Sequence, residues 1–357
     1  MKYTIAMIGQ SPDSDGYMPL IKAVLDKIAQ KRGVSFELVP HAIGDIFTPA
    51  EPAQHSINDR LTPSEPAPHA VDDRFTPAEL AAKMDGVKSA HAILLGSIND
   101  VYADFLHTNL IKKFGLHTKI CHFIDLDTQT ATPVDFYMVS DALGGIYSGS
   151  KGFRTRQPFG REAFDEDCYG ELEIERTARI AYELADIDGA SDPEKNGGEP
   201  SSRRALSLID KASKLNTSRL WRKIVTDINE DYPSVHLEAL ETGNCIAKML
   251  SENVGLSQDV LLCARQFADD LSSVALHAFR LVPTALPVAY VGDTPLGVYG
   301  RMSYLANDLT GLMLSVALML RHSFDMGSEA DCLLQALSKA NACSTSEQFI
   351  CEILKNL

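Results

Sequence analysis

The apolar positions of this chain fall into short runs that alternate between a strand period and a helix period. Residues 3–8 form a β-rich apolar run. Over 18–31, Leu20, Ile21, Val24, Leu25 and Ile28 recur at the spacing of one helix face. A second strand is expected over 36–39, a helix over 78–89, and an apolar strand over 91–95 that ends at Gly96-Ser97. Strand, helix, strand, helix, strand is the order of an α/β domain with a parallel sheet. Strands that are apolar throughout imply a sheet covered on both faces. After residue 170 the pattern predicts helices over 171–185, 219–228, 244–250 and 267–278, strands over 205–209, 236–241 and 260–264, and closing helices over 307–324, 329–340 and 345–354. In the 267–278 helix, Phe267, Leu271, Val274, Ala275 and Ala278 make an apolar stripe. That stripe suits either a dimer partner or the chain's own core.

Two stretches interrupt the pattern. Over 47–77 a Pro-rich unit repeats with a period of 14 residues: Phe47-Thr48-Pro49-Ala50-Glu51-Pro52 returns as Leu61-Thr62-Pro63-Ser64-Glu65-Pro66, and a partial copy starts at Phe75-Thr76-Pro77. A unit without a hydrophobic stripe cannot build a solenoid core. It is read as a tandem duplication in a surface loop, either a tolerated insertion or a docking loop for a partner, because loop closure costs little extra as length grows. The second interruption, 188–204, is a linker rich in Gly, Ser, Pro, Asp and Glu.

Composition narrows the function classes. A length of 357 residues fits one large or two ordinary domains. Hydrophobic residues at 45% and charged residues at 23% exclude wholesale disorder. A net charge of −15 argues against a nucleic-acid partner. The longest apolar run, 312–320, is about half a membrane span, so no membrane association is expected. The N-terminal segment is too short in apolar residues for a signal peptide. Seven scattered cysteines without a Cys-x-x-Cys suit free thiols in a reducing, cytoplasmic setting and argue against a zinc site.

The general motifs of chemistry are absent: no Gly-x-Gly-x-x-Gly after the first strand, no phosphate-loop Gly-x-x-x-x-Gly-Lys, no His-Glu-x-x-His, no Gly-x-Ser-x-Gly. A longer constellation is present. Leu143-Gly144-Gly145-Ile146-Tyr147 precedes Glu162-Ala163-Phe164-Asp165-Glu166. Glu173-Ile174-Glu175-Arg176-Thr177-Ala178 follows, and then Ile209-Asp210-Lys211-Ala212 runs into Ser218-Arg219-Leu220-Trp221-Arg222. In order and spacing this resembles the β-decarboxylating dehydrogenases, the family of 3-isopropylmalate, isocitrate and tartrate dehydrogenases, and most of all its 3-isopropylmalate branch. Leu94-Leu95-Gly96-Ser97 and Leu314-Ser315-Val316-Ala317-Leu318 belong to the same likeness, which covers nearly the whole chain.

The resemblance implies an α/β fold of two domains around a cleft, one formed by 1–116 plus 280–357 and carrying the 47–77 insertion, the other by 117–279. It implies a dimer, with residues of the neighbouring subunit in each site; a homodimer or a heteromer with a family paralogue both fit. It further implies NAD or NADP, a Mg²⁺ or Mn²⁺ ion, arginines that clamp a 2-hydroxy diacid, and a Lys and a Tyr that move protons. Carried over by position, the Tyr is Tyr147, the Lys is Lys211, and one metal-binding Asp is Asp269. The second metal-binding Asp falls on Ser273, and the Asp lent by the neighbouring subunit falls at Thr242-Gly243. Asp270 is offset by about 100° on a helix from Asp269. The three arginines fall on Ile111, Cys121 and Ser140, and the two cofactor segments on Gln10-Ser11-Pro12-Asp13-Ser14-Asp15-Gly16 and on 300–308, which match poorly.

Core positions thus match while substrate, metal and cofactor positions fail together, as when a scaffold is reused. Two readings stay open. In one, the chain has lost the metal-dependent oxidation and serves as a pseudoenzyme, regulatory subunit or repurposed scaffold. In the other, it is an active NAD(P)-dependent oxidoreductase for a different hydroxy acid. The retained residues have plainer alternatives too: Tyr147 as a packed residue at a domain junction, Lys211 as a carboxylate's partner, Asp269 as an acid favoured near a helix N-terminus.

Overall fold

The computed structural model describes residues 1–9, 17–42, 87–96, 107–127, 134–187, 205–251, 259–281, 286–302, 309–341 and 345–357. The 47–77 repeat, the 188–204 linker, most of the expected 78–89 helix, and the segments 10–16 and 303–308 lie outside them.

The chain opens with strand β1 (Lys2–Gly9), helix α1 (Met18–Arg32) and strand β2 (Ser35–Ala42). Helix α1 buries Ile21, Val24, Leu25 and Ile28, the face expected from their spacing. Pro19 starts it and Gly33 ends it in the left-handed region at φ 67°, a conformation that glycine adopts without steric cost. Strand β3 (Ala92–Leu95) pairs with β1 in parallel, as β2 does on its other side. Next come β4 (Thr118–Ile124), β5 (Asp135–Asp141), the hairpin β6 (Lys151–Arg156) and β7 (Gly160–Asp165), helix α2 (Glu171–Ile187), β8 (Leu206–Asp210), helix α3 (Asn216–Ile228), β9 (Leu237–Glu241), helix α4 (Thr242–Leu250), β10 (Val260–Cys263) and helix α5 (Arg265–Ala278). The chain closes with β11 (Leu286–Val291), β12 (Val298–Met302) and helices α6 (Leu309–Phe324), α7 (Gly327–Ala340) and α8 (Ser346–Asn356).

Ten strands form one sheet in the order β2-β1-β3-β12-β11-β4-β5-β10-β8-β9. Strands from 1–116 and 280–357 occupy one half and strands from 117–279 the other. The sheet is parallel toward both ends but antiparallel in the middle, where β4 runs against both β5 and β11, and β11 against β12. The strands expected from the element order, β1, β2 and β3, pair in parallel as predicted; the antiparallel centre comes from β4, β5, β11 and β12, which that order did not contain. The periodicity reading placed no strand over 118–141 or 286–302. Strands β4 and β5 are buried on both faces, so they show no alternation, and Lys119 and His122 interrupt their apolar run.

Helix α6 is buried almost all round. This accounts for the 312–320 run as the core of an α/β molecule, and no helix among the described residues is long and apolar enough to cross a membrane. In α5 the stripe residues Phe267, Leu271 and Ala275 are buried within the chain itself, so that stripe is chiefly core.

Near the end of α6, His322 has a buried Nε2 with no hydrogen-bond partner among the described residues. Burial, with Arg321 and His122 nearby, lowers its pKa to about 3. Burial also lowers the pKa of His41 and of His117. A histidine near 6.5 when unfolded and lower when folded favours the unfolded state on protonation. The stability from a neutral His322 is therefore full above about pH 6.5 and lost as pH falls toward about 3, roughly 2 kcal/mol of it by pH 5. Urea unfolding of the wild type and of His322→Leu at pH 7 and pH 5 should show a drop about 2 kcal/mol smaller in the variant. Equal drops would refute the role given to His322.

Candidate functional site

The end of β5 leads into Asp141 and the turn that holds Tyr147. The Asp141 carboxylate, fully buried, accepts the backbone N–H of Leu143 at 2.9 Å and that of Gly144. Arg176 approaches its second oxygen at 3.6 Å. Burial pushes the Asp141 pKa up, and these two amides and Arg176 work against that shift.

The following glycines are required by a neighbour. The Tyr169 ring lies against the turn, so a Cβ on Gly144 would sit 2.9 Å from Tyr169 Cε1, and one on Gly145 would meet the phenol oxygen. Gly145 also has φ 72°. Tyr169 is itself held. Its oxygen accepts the Arg265 N–H at 3.2 Å, and its ring packs edge-on to Trp221 at 5.4 Å. The Gly-Gly-Ile-Tyr segment is thereby tied to the first turn of α5.

That first turn gathers the residues singled out in the sequence. Tyr147 is 48% exposed, and the Arg265 guanidinium lies 4.9 Å from its ring centre. Lys151 lies 6.0 Å from the same ring. Arg265 also donates to the Ala142 carbonyl at 3.0 Å. Lys211, exposed just after β8, has its Nζ 5.4 Å from the ring centre of Phe267. Asp269 follows one turn along α5. Lys211 is positioned by its neighbours: Asp210 is buried, accepts Arg222 through both oxygens at 2.7 and 2.9 Å, and takes the Ala212 N–H at 2.9 Å.

Asp269 is already paired. Its Oδ1 accepts from Lys119 Nζ at 2.8 Å. The lysine side chain is 10% exposed and the aspartate side chain 50%. Burial works against the Lys119 ammonium, but the side chains facing it, Cys121, Tyr290 and Asp269, outweigh burial and hold its pKa above the ordinary lysine value. Burial pushes the Cys121 thiol and the Tyr290 phenol up.

Ser273, one turn beyond Asp269, bonds back to the Asp269 carbonyl at 3.0 Å. Thr242 starts α4 and donates to the Asp210 carbonyl at 3.0 Å. Asp270 is exposed on the next position of α5. Ile111, Cys121 and Ser140 are buried, 2%, 2% and 1% exposed. No group of three His, Cys, Asp or Glu residues able to hold a metal ion occurs among the described residues.

An open hollow of about 560 Å³ is lined by Ala212, Arg219, Arg222, Lys223 and Glu241 among others, and not by Lys211. Its cations are engaged internally: Arg222 on Asp210, Lys223 on Asp227, Arg219 on the Ala212 carbonyl. It does not converge on Asp269.

Sequence reasoning missed Lys119, Arg265 and Tyr169. The available signal for Lys119 was a lysine inside an apolar run, two positions from Cys121 and hence on the same strand face.

Residues 5–347 match the family model described as isocitrate/isopropylmalate dehydrogenase. The 3-isopropylmalate dehydrogenase of Vibrio parahaemolyticus is 28% identical over 370 residues, covering 95% of this chain and 90% of that protein. That of Salmonella typhimurium is 33% identical over 218 residues, 59% of this chain and 55% of that protein. Among solved structures, an isocitrate dehydrogenase from Methylococcus capsulatus superposes with a TM-score of 0.65 over 99% of both chains at 16% identity, a likeness of fold.

Proposed function

This chain belongs to the isocitrate/isopropylmalate dehydrogenase family, and from that premise we propose that it binds without turning over. It is a pseudoenzyme or regulatory member that has lost the metal-dependent oxidation and decarboxylation of hydroxy diacids. One observation carries this reading. Ile111, Cys121 and Ser140, at the positions where the family likeness calls for substrate arginines, are neutral and buried. A diacid bound against them leaves carboxylates without guanidinium partners, at a cost of several kcal/mol.

The residues do not fit the divalent ion that the family chemistry implies. Mg²⁺ and Mn²⁺ take oxygen ligands in octahedral geometry, held to a protein by one or two free carboxylates with waters or substrate oxygens filling the other positions. Here Asp269 is paired with an ammonium, Ser273 offers a neutral hydroxyl and Thr242 stands at the third position. Tyr147 and Lys211 can still donate hydrogen bonds or hold a proton, which suits a ligand site without hydride transfer.

The same reading takes 1–116 with 280–357 and 117–279 as two domains around the site. It takes the assembly as a homodimer or a pairing with a family paralogue. Six free cysteines among the described residues support a reducing compartment such as the cytoplasm.

The test is thermal unfolding of the full chain with isopropylmalate, isocitrate, malate or tartrate, each with and without Mn²⁺ and NAD or NADP. No combination of diacid and Mn²⁺ should stabilise it. A ligand at 100 times its Kd adds about 2.7 kcal/mol, so joint stabilisation by a diacid and Mn²⁺ would be plain and would end the reading.

A further inference from the structure

We infer that Lys119 is a built-in replacement for a divalent cation: its ammonium takes the position beside Asp269, so the site is charged by the chain itself and excludes a metal ion. The inference deepens the proposed function and rests on it.

The placement follows from the sheet. Lys119 lies at the centre of the sheet, with Ser140 opposite it on β5 and Tyr290 opposite it on β11. Cys121 is two residues along β4 and therefore on the same face. Two of these neighbours, Ser140 and Cys121, stand where the family likeness calls for guanidinium groups. Two cations are thus missing from this face and one has been gained between them. That one reaches across to Asp269, whose Oδ1 is 2.8 Å from Nζ.

An ammonium offers three donors and no acceptor. A hard cation bound to Asp269 would have to share the half-exposed carboxylate with it, two positive charges a few ångströms apart. The lysine is covalently attached and nine-tenths buried, so it is always at hand, whereas an ion must lose its water to compete. Residue 273 lies on the same helix face as Asp269, one turn away. An acid there would complete a two-carboxylate edge if the ammonium were removed.

The test is a Mn²⁺ titration of the full-length protein, read as loss of the free-ion signal in electron paramagnetic resonance. Wild type should leave the signal of free Mn²⁺ unchanged at millimolar ion. The double variant Lys119→Asn/Ser273→Asp should bind Mn²⁺ at least about tenfold more tightly, which is about 1.4 kcal/mol. Adding Asp269→Asn to it should abolish that gain, and Mg²⁺ should compete. Circular dichroism checks the fold, and Lys119→Met, which keeps the side-chain length, replaces Asn if the first variant fails to fold.

Mn²⁺ binding by wild type that Asp269→Asn removes would overturn the inference, whatever the variants do. So would a folded double variant that binds no better than wild type. In that last case, silence of the wild type toward hydroxy acids would leave the proposed function standing. Turnover of a hydroxy acid by wild type would instead remove the proposed function itself.

Discussion

Purified protein supplied with Mn²⁺, NAD or NADP and millimolar isopropylmalate, isocitrate, malate or tartrate is expected to produce NAD(P)H at less than about 10⁻³ s⁻¹. The figure starts from a typical enzyme turnover of about 10 s⁻¹. Three charged hydrogen-bonding partners are absent at Ile111, Cys121 and Ser140. Each such interaction contributes about 1.5–3 kcal/mol, so together they remove roughly 6 kcal/mol, or about 10⁴-fold. Loss of the metal deepens this, because without a Lewis acid the hydroxyl and the developing negative oxygen are not stabilised. Tyr147 and Lys211 remain, yet proton transfer by positioned groups supplies only about 10²–10⁴-fold. The assay is cofactor absorbance with an active family member alongside. Turnover near 10 s⁻¹ would show that other residues of this chain supply the missing charges.

The substitution with the largest expected effect on stability is Gly145→Ala. Two costs add. A side chain at φ 72° is strained by about 1–2 kcal/mol. The new methyl also meets the Tyr169 ring, with Cζ at 2.8 Å. That ring cannot swing aside freely, because Arg265 donates to its oxygen and Trp221 packs on its edge. Overpacking of this kind costs about 1–3 kcal/mol. The sum is about 2–5 kcal/mol, measured as a lowered urea midpoint. A double-mutant cycle separates the parts: in a Tyr169→Phe background, which lacks the phenol oxygen, the cost of Gly145→Ala should fall by about 1 kcal/mol. An unchanged cost in that background would mean that the contact contributes nothing and only the backbone strain matters.

Much of the fold was legible because the helices carry one-sided stripes. Helix α1 shows its buried face in Ile21, Val24, Leu25 and Ile28, and its end in Gly33. The central strands were not, because β4 and β5 are covered on both sides and carry Lys119, His122, Ser140 and Asp141 inside. A strand with no exposed face has no period to read. The antiparallel turn of the sheet was hidden for the same reason, since order along the chain does not record direction. At the site, Tyr147, Lys211 and Asp269 could be named from motif likeness, and all three lie at or against the early turns of α5. Their new partners could not be named. Lys119 and Asp269 are separated by 150 residues, and Arg265 meets Tyr147 from 118 residues away. Such pairs arise only when β4, β5 and α5 come together.

The contact between Tyr169 and Trp221 gives the molecule an optical reporter. Trp221 is the single tryptophan of the chain and is 1% exposed. All indole emission therefore comes from one dry place, next to the tyrosine that rests on the Gly144–Gly145 turn and accepts the first N–H of α5. Emission should be blue in the native state and shift to the red when this corner opens. A ligand that moves the Tyr147 turn or the start of α5 would act on the same ring edge. Fluorescence titration can therefore follow binding at the site without a label, in a protein for which no turnover signal is expected.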